Sequence, residues 1–66
     1  MNEYVYLQLD GTWHRAVLEA EVVTAPGESH RPITVNEQCG IRDGKPDASS
    51  FTEPPADEPR HEACWT

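Results

Sequence analysis

The sequence lacks most of the features that stabilise a larger domain or direct it to a membrane. Its 66 residues include one Met, one Phe and two Cys, and no long apolar run interrupts its polar composition. A secretory signal or a membrane span would need such a run. A chain this short buries only about 60% of the surface that its unfolded form exposes. We therefore expect one domain, residues 1–66, that needs a disulfide, a metal ion or oligomerisation to hold its fold.

Positive charge is also scarce. Five Lys and Arg residues stand against 12 Asp and Glu, which gives a net charge of −7. Such a charge repels phosphate backbones and disfavours direct binding of nucleic acid. It favours a protein partner with a basic surface, mainly by raising the association rate. With no export or membrane segment in the sequence, we expect a cytoplasmic protein. In the cytoplasm, paired cysteines more often bind a metal than form a disulfide.

The first structural signal is a β-hairpin near the start of the chain. Residues 4–9, Tyr-Val-Tyr-Leu-Gln-Leu, alternate between aliphatic side chains and aromatic or polar ones. Asp10-Gly11 follows and predicts a type I′ turn, because that turn needs a positive φ at both of its central residues. The turn sets the register, so that Leu7 faces His14. His14 then lies on the aliphatic face, which we predict to be the inner one.

The remaining segments complete a small mostly-β fold. The second strand continues by alternation to Val23, and a polar loop at residues 25–32 leads to a third strand at residues 33–38. The acidic, proline-rich segment 46–59 predicts a loop within the domain, since proline cannot donate to a strand ladder. Residues 60–65 can form one short helical turn. The predicted fold is a three-stranded antiparallel meander with a short C-terminal turn or helix, stabilised by zinc in the manner of a zinc ribbon.

The metal prediction starts from the end of the chain. His61 and Cys64 are three residues apart, a spacing that lets both side chains reach one ion from a single turn. Cys39 is followed by Gly40, as is typical of a metal knuckle. The start of the second strand, near His14, lies beside the end of the third, near Cys39, if the two strands are antiparallel neighbours. We therefore predict one structural zinc ion with four ligands, namely His14, Cys39, His61 and Cys64.

Simpler interpretations of the same residues remain open. Cys39 and Cys64 could form a disulfide, which would close a loop of about 25 residues and contribute roughly 3 kcal/mol in the chain-entropy model. Both could also be free thiols in a packed core. His14 could be an ordinary buried histidine, and His30, in the proline-flanked loop, could replace it as a ligand.

The second face of the hairpin carries Tyr4, Tyr6 and Trp13. Their structural interpretation is that they cover this face beneath the acidic loop. Their functional interpretation is an exposed patch that binds a protein partner, because Tyr and Trp are enriched at binding hot spots. Catalysis has little support, since the chain is too small for a substrate pocket of ordinary size and a four-ligand zinc site has no open position for water.

Three segments together resemble small zinc-finger-like proteins of actinobacteria and their phages. They are Trp13-His14-Arg15-Ala16, Cys39-Gly40, and the proline-rich acidic stretch that leads to Arg60-His61-x-x-Cys64-Trp65. In that family an early His, a Cys-Gly and a terminal Cys-x-x-Cys are taken as the ligands. Here His61 stands where the first Cys of the terminal pair would be, which keeps a ligand and changes the donor set. The resemblance implies a zinc-stabilised fold and a cytoplasmic setting, which is the host cytoplasm for a phage protein, and it implies no activity.

Two functional hypotheses follow. The first is a non-enzymatic zinc-binding protein that acts through protein–protein interaction on a host or cellular protein, without contacting nucleic acid or a membrane. The second is an acidic mimic of nucleic acid that occupies the site of a DNA-binding protein. Mimicry depends on many acids together and weakens steeply with salt, whereas a hot-spot interface depends on a few side chains. The sequence leaves the oligomeric state open.

Overall fold

The computed structural model describes residues 2–41 and 44–66, which form a small antiparallel β-structure. Its strands are β1 (Glu3–Leu9), β2 (Thr12–Leu18), β3 (Val22–Ala25), β4 (Glu28–His30), β5 (Ile33–Thr34) and β6 (Ala48–Ser50). Two 3₁₀ turns are named η1 (Glu37–Cys39) and η2 (Glu62–Trp65). One sheet has the order β5-β2-β1-β6, and β3 and β4 form a separate pair. No helix of these two segments is long and apolar enough to cross a membrane.

The β1–β2 hairpin forms as predicted. Asp10 has a φ of 50° and Gly11 a φ of 77°, so both central residues of the turn are left-handed. The register pairs Leu9 with Thr12 and Leu7 with His14, and it continues without a shift to the end of both strands. Local turn chemistry is enough to set this register, because a two-residue turn leaves only one way to align its flanking strands.

The predicted three-stranded meander is wrong in strand number, although the mostly-β antiparallel class is confirmed. The second strand ends at Leu18 and does not run on to Val23. The predicted loop at 25–32 contains the turn and return strand of a second hairpin, β3–β4, with a bulge between Val23 and Ala25. This hairpin extends from the end of the β2–β5 pair. The amide of Glu19 donates to the carbonyl of Pro32 at 2.9 Å, so the two chain segments that lead into the hairpin remain paired. We call residues 22–30 the arm.

The third strand is much shorter than predicted. Only Ile33–Thr34 pair with β2, and the chain then turns into η1. The side chain of Asn36 accepts a hydrogen bond from the amide of Gln38. This cap starts the 3₁₀ turn at the point where the sequence predicted further strand pairing. Asn often competes with regular structure in this way.

The acidic segment 46–59 is not a simple loop. Ala48–Ser50 form strand β6 on the free edge of β1, and the amide of Asp47 donates to the carbonyl of Gln8 at 2.8 Å. An Ala-Ser-Ser stretch carries no strand pattern, so β6 exists because an unpaired edge is available to it. Further along, Arg60 holds the segment by donating to Glu53 at 2.9 Å and to the carbonyl of Pro54 at 2.8 Å.

The burial of the two sheet faces differs from the prediction, which made the aliphatic face the inner one. The aromatic face carries Tyr4, Tyr6, Trp13 and Arg15, and the aliphatic face carries Val5, Leu7, His14, Ala16, Leu18 and Ile33. On the aromatic face, Tyr6 is 8% exposed and Trp13 is 7% exposed. On the aliphatic face only His14 and Ala16 are buried, while Val5, Leu7 and Leu18 are half-buried. The largest buried side chains of the hairpin therefore lie on the aromatic face, while His14 is buried on the aliphatic face, which confirms its predicted burial.

The left-handed turn at the tip of β1–β2 yields a test of local backbone strain. We expect Gly11→Ala to lower the free energy of unfolding by about 1–2 kcal/mol, because a Cβ is disfavoured at positive φ. A Cβ at this site has no atom within 4 Å, so the loss would come from the backbone alone. Urea denaturation measures it. Gly27→Ala in the arm (φ 80°) is the matched control. Its effect on global unfolding should be smaller, since the arm can open locally; equal losses would contradict this account.

Candidate metal centre

The structure brings the four predicted ligands together. One donor atom from each of His14, Cys39, His61 and Cys64 lies within 4.8 Å of the others. His14, Cys39 and Cys64 are buried, and His61 is half-buried. The ligands come from three parts of the chain, namely β2, η1, and the C-terminal turn made of η2 and the residue that precedes it. The cluster is therefore a tertiary feature, and it joins the N-terminal hairpin to the C-terminal end.

The cluster fills the outer edge of β2 between two other partners. Near one end of this edge, Leu18 pairs with β5. Near the other end, the amide of Trp13 donates to the carbonyl of Pro59 at 2.9 Å, and the amide of His61 donates to the carbonyl of Trp13 at 2.8 Å. Between them, the sulfur of Cys39 lies 3.7 Å from the carbonyl oxygen of Arg15. The short parallel bridge between Trp13 and Arg60 places His61 beside His14.

Cys39 is held by the tight turn that ends in Gly40. The amide of Cys39 donates to the carbonyl of Asn36 at 2.8 Å, and Gly40 is left-handed with a φ of 77°. A Cβ on Gly40 would lie 3.5 Å from Nε2 of His61 and 4.0 Å from Cε1 of His14. Glycine thus serves both the backbone conformation and the close approach of the two imidazoles.

The C-terminal pair lies on one turn, as its spacing indicates. His61 precedes η2, and the amide of Cys64 donates to its carbonyl at 2.9 Å. The side chains of both residues therefore reach the same point. The predicted short C-terminal turn is confirmed.

The geometry of the histidines is that of a donor set. Nδ1 of His14 lies 3.7 Å from the sulfur of Cys39 and 3.8 Å from the sulfur of Cys64. A tetrahedral zinc site places its donor atoms roughly 3.3–3.8 Å apart, as follows from Zn–S and Zn–N bond lengths. The rings of His14 and His61 stack with their centroids 4.9 Å apart. Nδ1 of His61 is buried and has no hydrogen-bond partner among the described residues. A metal ion would satisfy such an atom.

The two sulfurs are bonded to each other in this structure. Cys39 and Cys64 form a disulfide whose Cα atoms are 4.7 Å apart. The carbonyl of Cys39 accepts a hydrogen bond of 2.7 Å from Nδ1 of His14, so this nitrogen carries the proton in the disulfide-bonded arrangement. The disulfide that the sequence left as an alternative is thus geometrically feasible. The same four side chains remain within reach of one ion.

The other candidate residues lie elsewhere. His30 is exposed on β4, where it pairs with Val22, and it is not part of the cluster. Tyr6 and Trp13 are buried on the aromatic face, and Tyr4 is half-buried. These positions agree with the structural interpretation of the three rings as cover, and two of them are not available as an exposed patch.

Arg15 is a residue that sequence reasoning did not single out. Its guanidinium lies 4.2 Å from the ring centre of Tyr4 and 5.2 Å from that of Trp65. Its Nε donates to the carbonyl of Cys64 at 3.2 Å. Trp65 in turn lies 6.0 Å from the ring of Tyr6. Arg15 therefore clamps η2 against the aromatic face. The register offered a signal, because Tyr4 and Arg15 are diagonal neighbours on one face.

Comparisons of the chain with models of protein families, with curated proteins and with solved structures find no match. The chemistry of the centre therefore has to be argued from its own residues.

The Arg15 clamp leads to a stability prediction. We expect Arg15→Ala to lower the free energy of unfolding by about 1–2 kcal/mol, since it removes two cation–π contacts and one hydrogen bond to η2. Arg31→Ala is the matched control. Arg31 also donates to a carbonyl, that of Glu19, but its ion pair with Glu3 is exposed and no aromatic ring stacks on it among the described residues. Its loss should be less than about 1 kcal/mol. Equal losses in urea denaturation would show that the aromatic contacts contribute nothing.

Proposed function

We propose that the chain is a small, non-enzymatic, zinc-stabilised protein that acts by binding another protein. The single observation that carries the zinc part is the convergence of two imidazoles and two sulfurs from three separate parts of the chain. The partner part rests on the aliphatic face, which is taken up below.

The histidines favour a metal centre over a disulfide that is merely structural. A disulfide between Cys39 and Cys64 needs no imidazole beside it. Yet His14 and His61 stack against each other at the sulfurs, with Nδ1 of His61 buried and unpartnered. Burying a polar nitrogen without a partner costs roughly 1–3 kcal/mol. Ligation of an ion through this nitrogen would remove the penalty, and it would explain why two histidines are placed there.

The donor set favours zinc over other metals. Two thiolates and two imidazoles are the soft and borderline ligands of tetrahedral structural zinc, whereas calcium and magnesium prefer oxygen. The thiolates cancel the charge of the ion, so the site adds no net charge to a buried position. Four protein ligands leave no open coordination position, which supports a structural role without catalysis.

A zinc site also meets the needs of so small a core. Among residues 2–41 and 44–66, six apolar residues are buried, and two of these are the cysteines of the centre: Tyr6, Trp13, Ala16, Cys39, Pro54 and Cys64. Such an interior is marginal by itself. Metal binding then supplies folding free energy directly, because the four ligands are brought together only in the folded chain.

The aliphatic face is the best candidate for the partner surface. Ile33 is 43% exposed and Val35 is 39% exposed, and Phe51 is 77% exposed at the end of β6. Phe51 lines a surface depression together with Leu18 of the aliphatic face and with Tyr4 and Tyr6 of the aromatic face, so it lies where the two faces meet. An aliphatic sheet face that stays open to this degree is typical of an interaction site.

The charge of the protein favours a basic partner. Among residues 2–41 and 44–66, only Glu3 and Glu53 form ion pairs, although the chain holds 12 acids. A second copy would bring a charge of −7 against another −7, which opposes self-association. A protein with an apolar patch and a rim of Lys and Arg would match both features. On the resemblance to proteins of actinobacteria and their phages, we propose that the partner is a host or cellular protein met in the cytoplasm.

Zinc binding is tested on the reduced chain. We expect wild type to bind one zinc per chain and to lose its folded structure when a chelator removes the ion. His14→Ala should weaken zinc binding by about 100-fold or more, since even an indirect neighbour of a metal ligand can change affinity 10–100-fold. His30→Ala is the matched control and should bind as wild type does. Native mass spectrometry and competition with a chromogenic chelator measure both. Equal effects of the two substitutions would contradict the ligand assignment.

The partner surface is tested by capture with paired variants. We expect Ile33→Ser and Phe51→Ser, alone and combined, to weaken capture of the protein that wild type binds by about 10-fold or more. Both side chains are exposed, so the fold should survive. Val23→Ser in the arm, where the side chain is 70% exposed, is the control and should have no effect. If the substitutions on this face leave binding unchanged but binding weakens steeply with salt, the acidic mimic of nucleic acid is favoured instead.

A further inference from the structure

The zinc ion proposed above and the observed disulfide use the same two sulfurs. The Cα atoms of Cys39 and Cys64 are 4.7 Å apart, within the usual range for a disulfide of about 4.4–6.8 Å. Around the same point, all four donor atoms lie within 4.8 Å of one another. One backbone arrangement therefore suits both bonding states, and changing between them needs only rotation of side chains.

Both kinds of link join the same two elements. Cys39 ends η1 and Cys64 lies in η2, so S–Zn–S and S–S each hold η1 against η2. Through Trp65, η2 also packs on Tyr6 and under Arg15. The contacts of the C-terminal turn with the aromatic face can thus persist whichever link is present.

We propose that Cys39 and Cys64 form an oxidation site, at which a peroxide converts the zinc-bound thiolate pair into a disulfide and releases the ion while the fold is kept. This inference rests on the proposed zinc site. It assigns the centre a second state, and it explains why the chain would carry two histidines beside a pair of cysteines that can cross-link without them.

The chemistry balances with a peroxide as oxidant. One thiolate attacks hydrogen peroxide and becomes a sulfenic acid, and the hydroxide that leaves takes up a proton to give water. The second thiolate attacks this sulfur, the disulfide forms, and a second hydroxide leaves and is protonated. In total, two thiolates, one hydrogen peroxide and two protons give one disulfide and two waters. The zinc ion loses its two anionic ligands and dissociates.

Exposure assigns the order of attack. Cys64 is 6% exposed and Cys39 is 0% exposed, so Cys64 is the thiolate that meets the oxidant. A surface cavity of about 600 Å³ is lined by His14, Gly40 and His61. It opens the two histidines of the centre to solvent, although neither cysteine lines it. Cys39, fully enclosed, is then the resolving thiolate.

The hydrogen bonds of the histidines favour reversal. With the disulfide formed, Nδ1 of His14 donates to the carbonyl of Cys39 at 2.7 Å and is satisfied. Nδ1 of His61 has no partner in this state. The oxidised centre therefore leaves one buried nitrogen of His61 unsatisfied, and ligation of zinc through that nitrogen would remove the penalty once the thiols are reduced again.

The experiment uses the full chain, reduced and loaded with zinc, and titrates it with hydrogen peroxide. We expect one zinc to leave per chain in parallel with a loss of two hydrogens, both followed by native mass spectrometry. The near-ultraviolet circular dichroism of the two Trp residues should keep most of its intensity. Reductant together with zinc should restore the starting mass. His30→Ala should behave as wild type does, and peptide mapping should place the cross-link between Cys39 and Cys64.

The outcomes separate the two proposals. If the reduced chain takes up no zinc, the proposed zinc site and this inference both fail. If zinc binds but peroxide yields sulfinic acid, disulfide-linked dimers or an unfolded monomer, the zinc site stands and the inference is overturned. The inference is also overturned if the zinc form resists a peroxide excess that fully oxidises the same chain without zinc.

Discussion

The convergence of four side chains at the outer edge of β2 is the constraint on which the rest of this structure depends. β5 covers one end of that edge and the segment leading to η2 covers the other. The cysteines join η1 to η2 in the gap, and His14 and His61 close around them. Because few apolar residues are buried, this cross-linked edge supplies stability that larger domains obtain from a hydrophobic core.

The centre also explains why the sheet buries its aromatic face. Once η2 is tied to η1, Trp65 is brought over Tyr6 and Arg15 is enclosed between Trp65 and Tyr4. Large rings bury more area per residue than the aliphatic side chains opposite, so a single layer of them gains the most from burial. The aliphatic face is left with a partial cover, and its exposed Ile33 is part of the surface that we propose for a partner.

The cysteine pair unites the structural and the chemical arguments. A disulfide and a zinc-bound thiolate pair impose nearly the same restraint on η1 and η2, yet they respond to different conditions: one to reductant, the other to chelator. Histidine distinguishes them, since only the metal state uses both imidazoles. On the two proposals together, the protein keeps its partner surface in both states while its metal content follows the supply of oxidant.

The sequence by itself determined the features whose cause is local. Asp10-Gly11 set the hairpin register because a two-residue turn with left-handed residues allows only one alignment of the flanking strands. His61-x-x-Cys64 predicted a shared turn because residues three positions apart lie on the same turn of a helix. The register also pointed to His14, whereas the Cys39-Gly40 pair and the spacing of His61 and Cys64 pointed to the other three members of the cluster. Only the tertiary structure decided the rest. Strand β6 forms on the free edge of β1, which is distant from it in the sequence. The choice of buried face depends on where the C-terminal segment returns, and that return is a contact between residues about 50 positions apart, as in the 3.8 Å approach of Cys64 to His14. Alternation of side chains shows that a strand has two faces, but it cannot say which one a distant segment will cover.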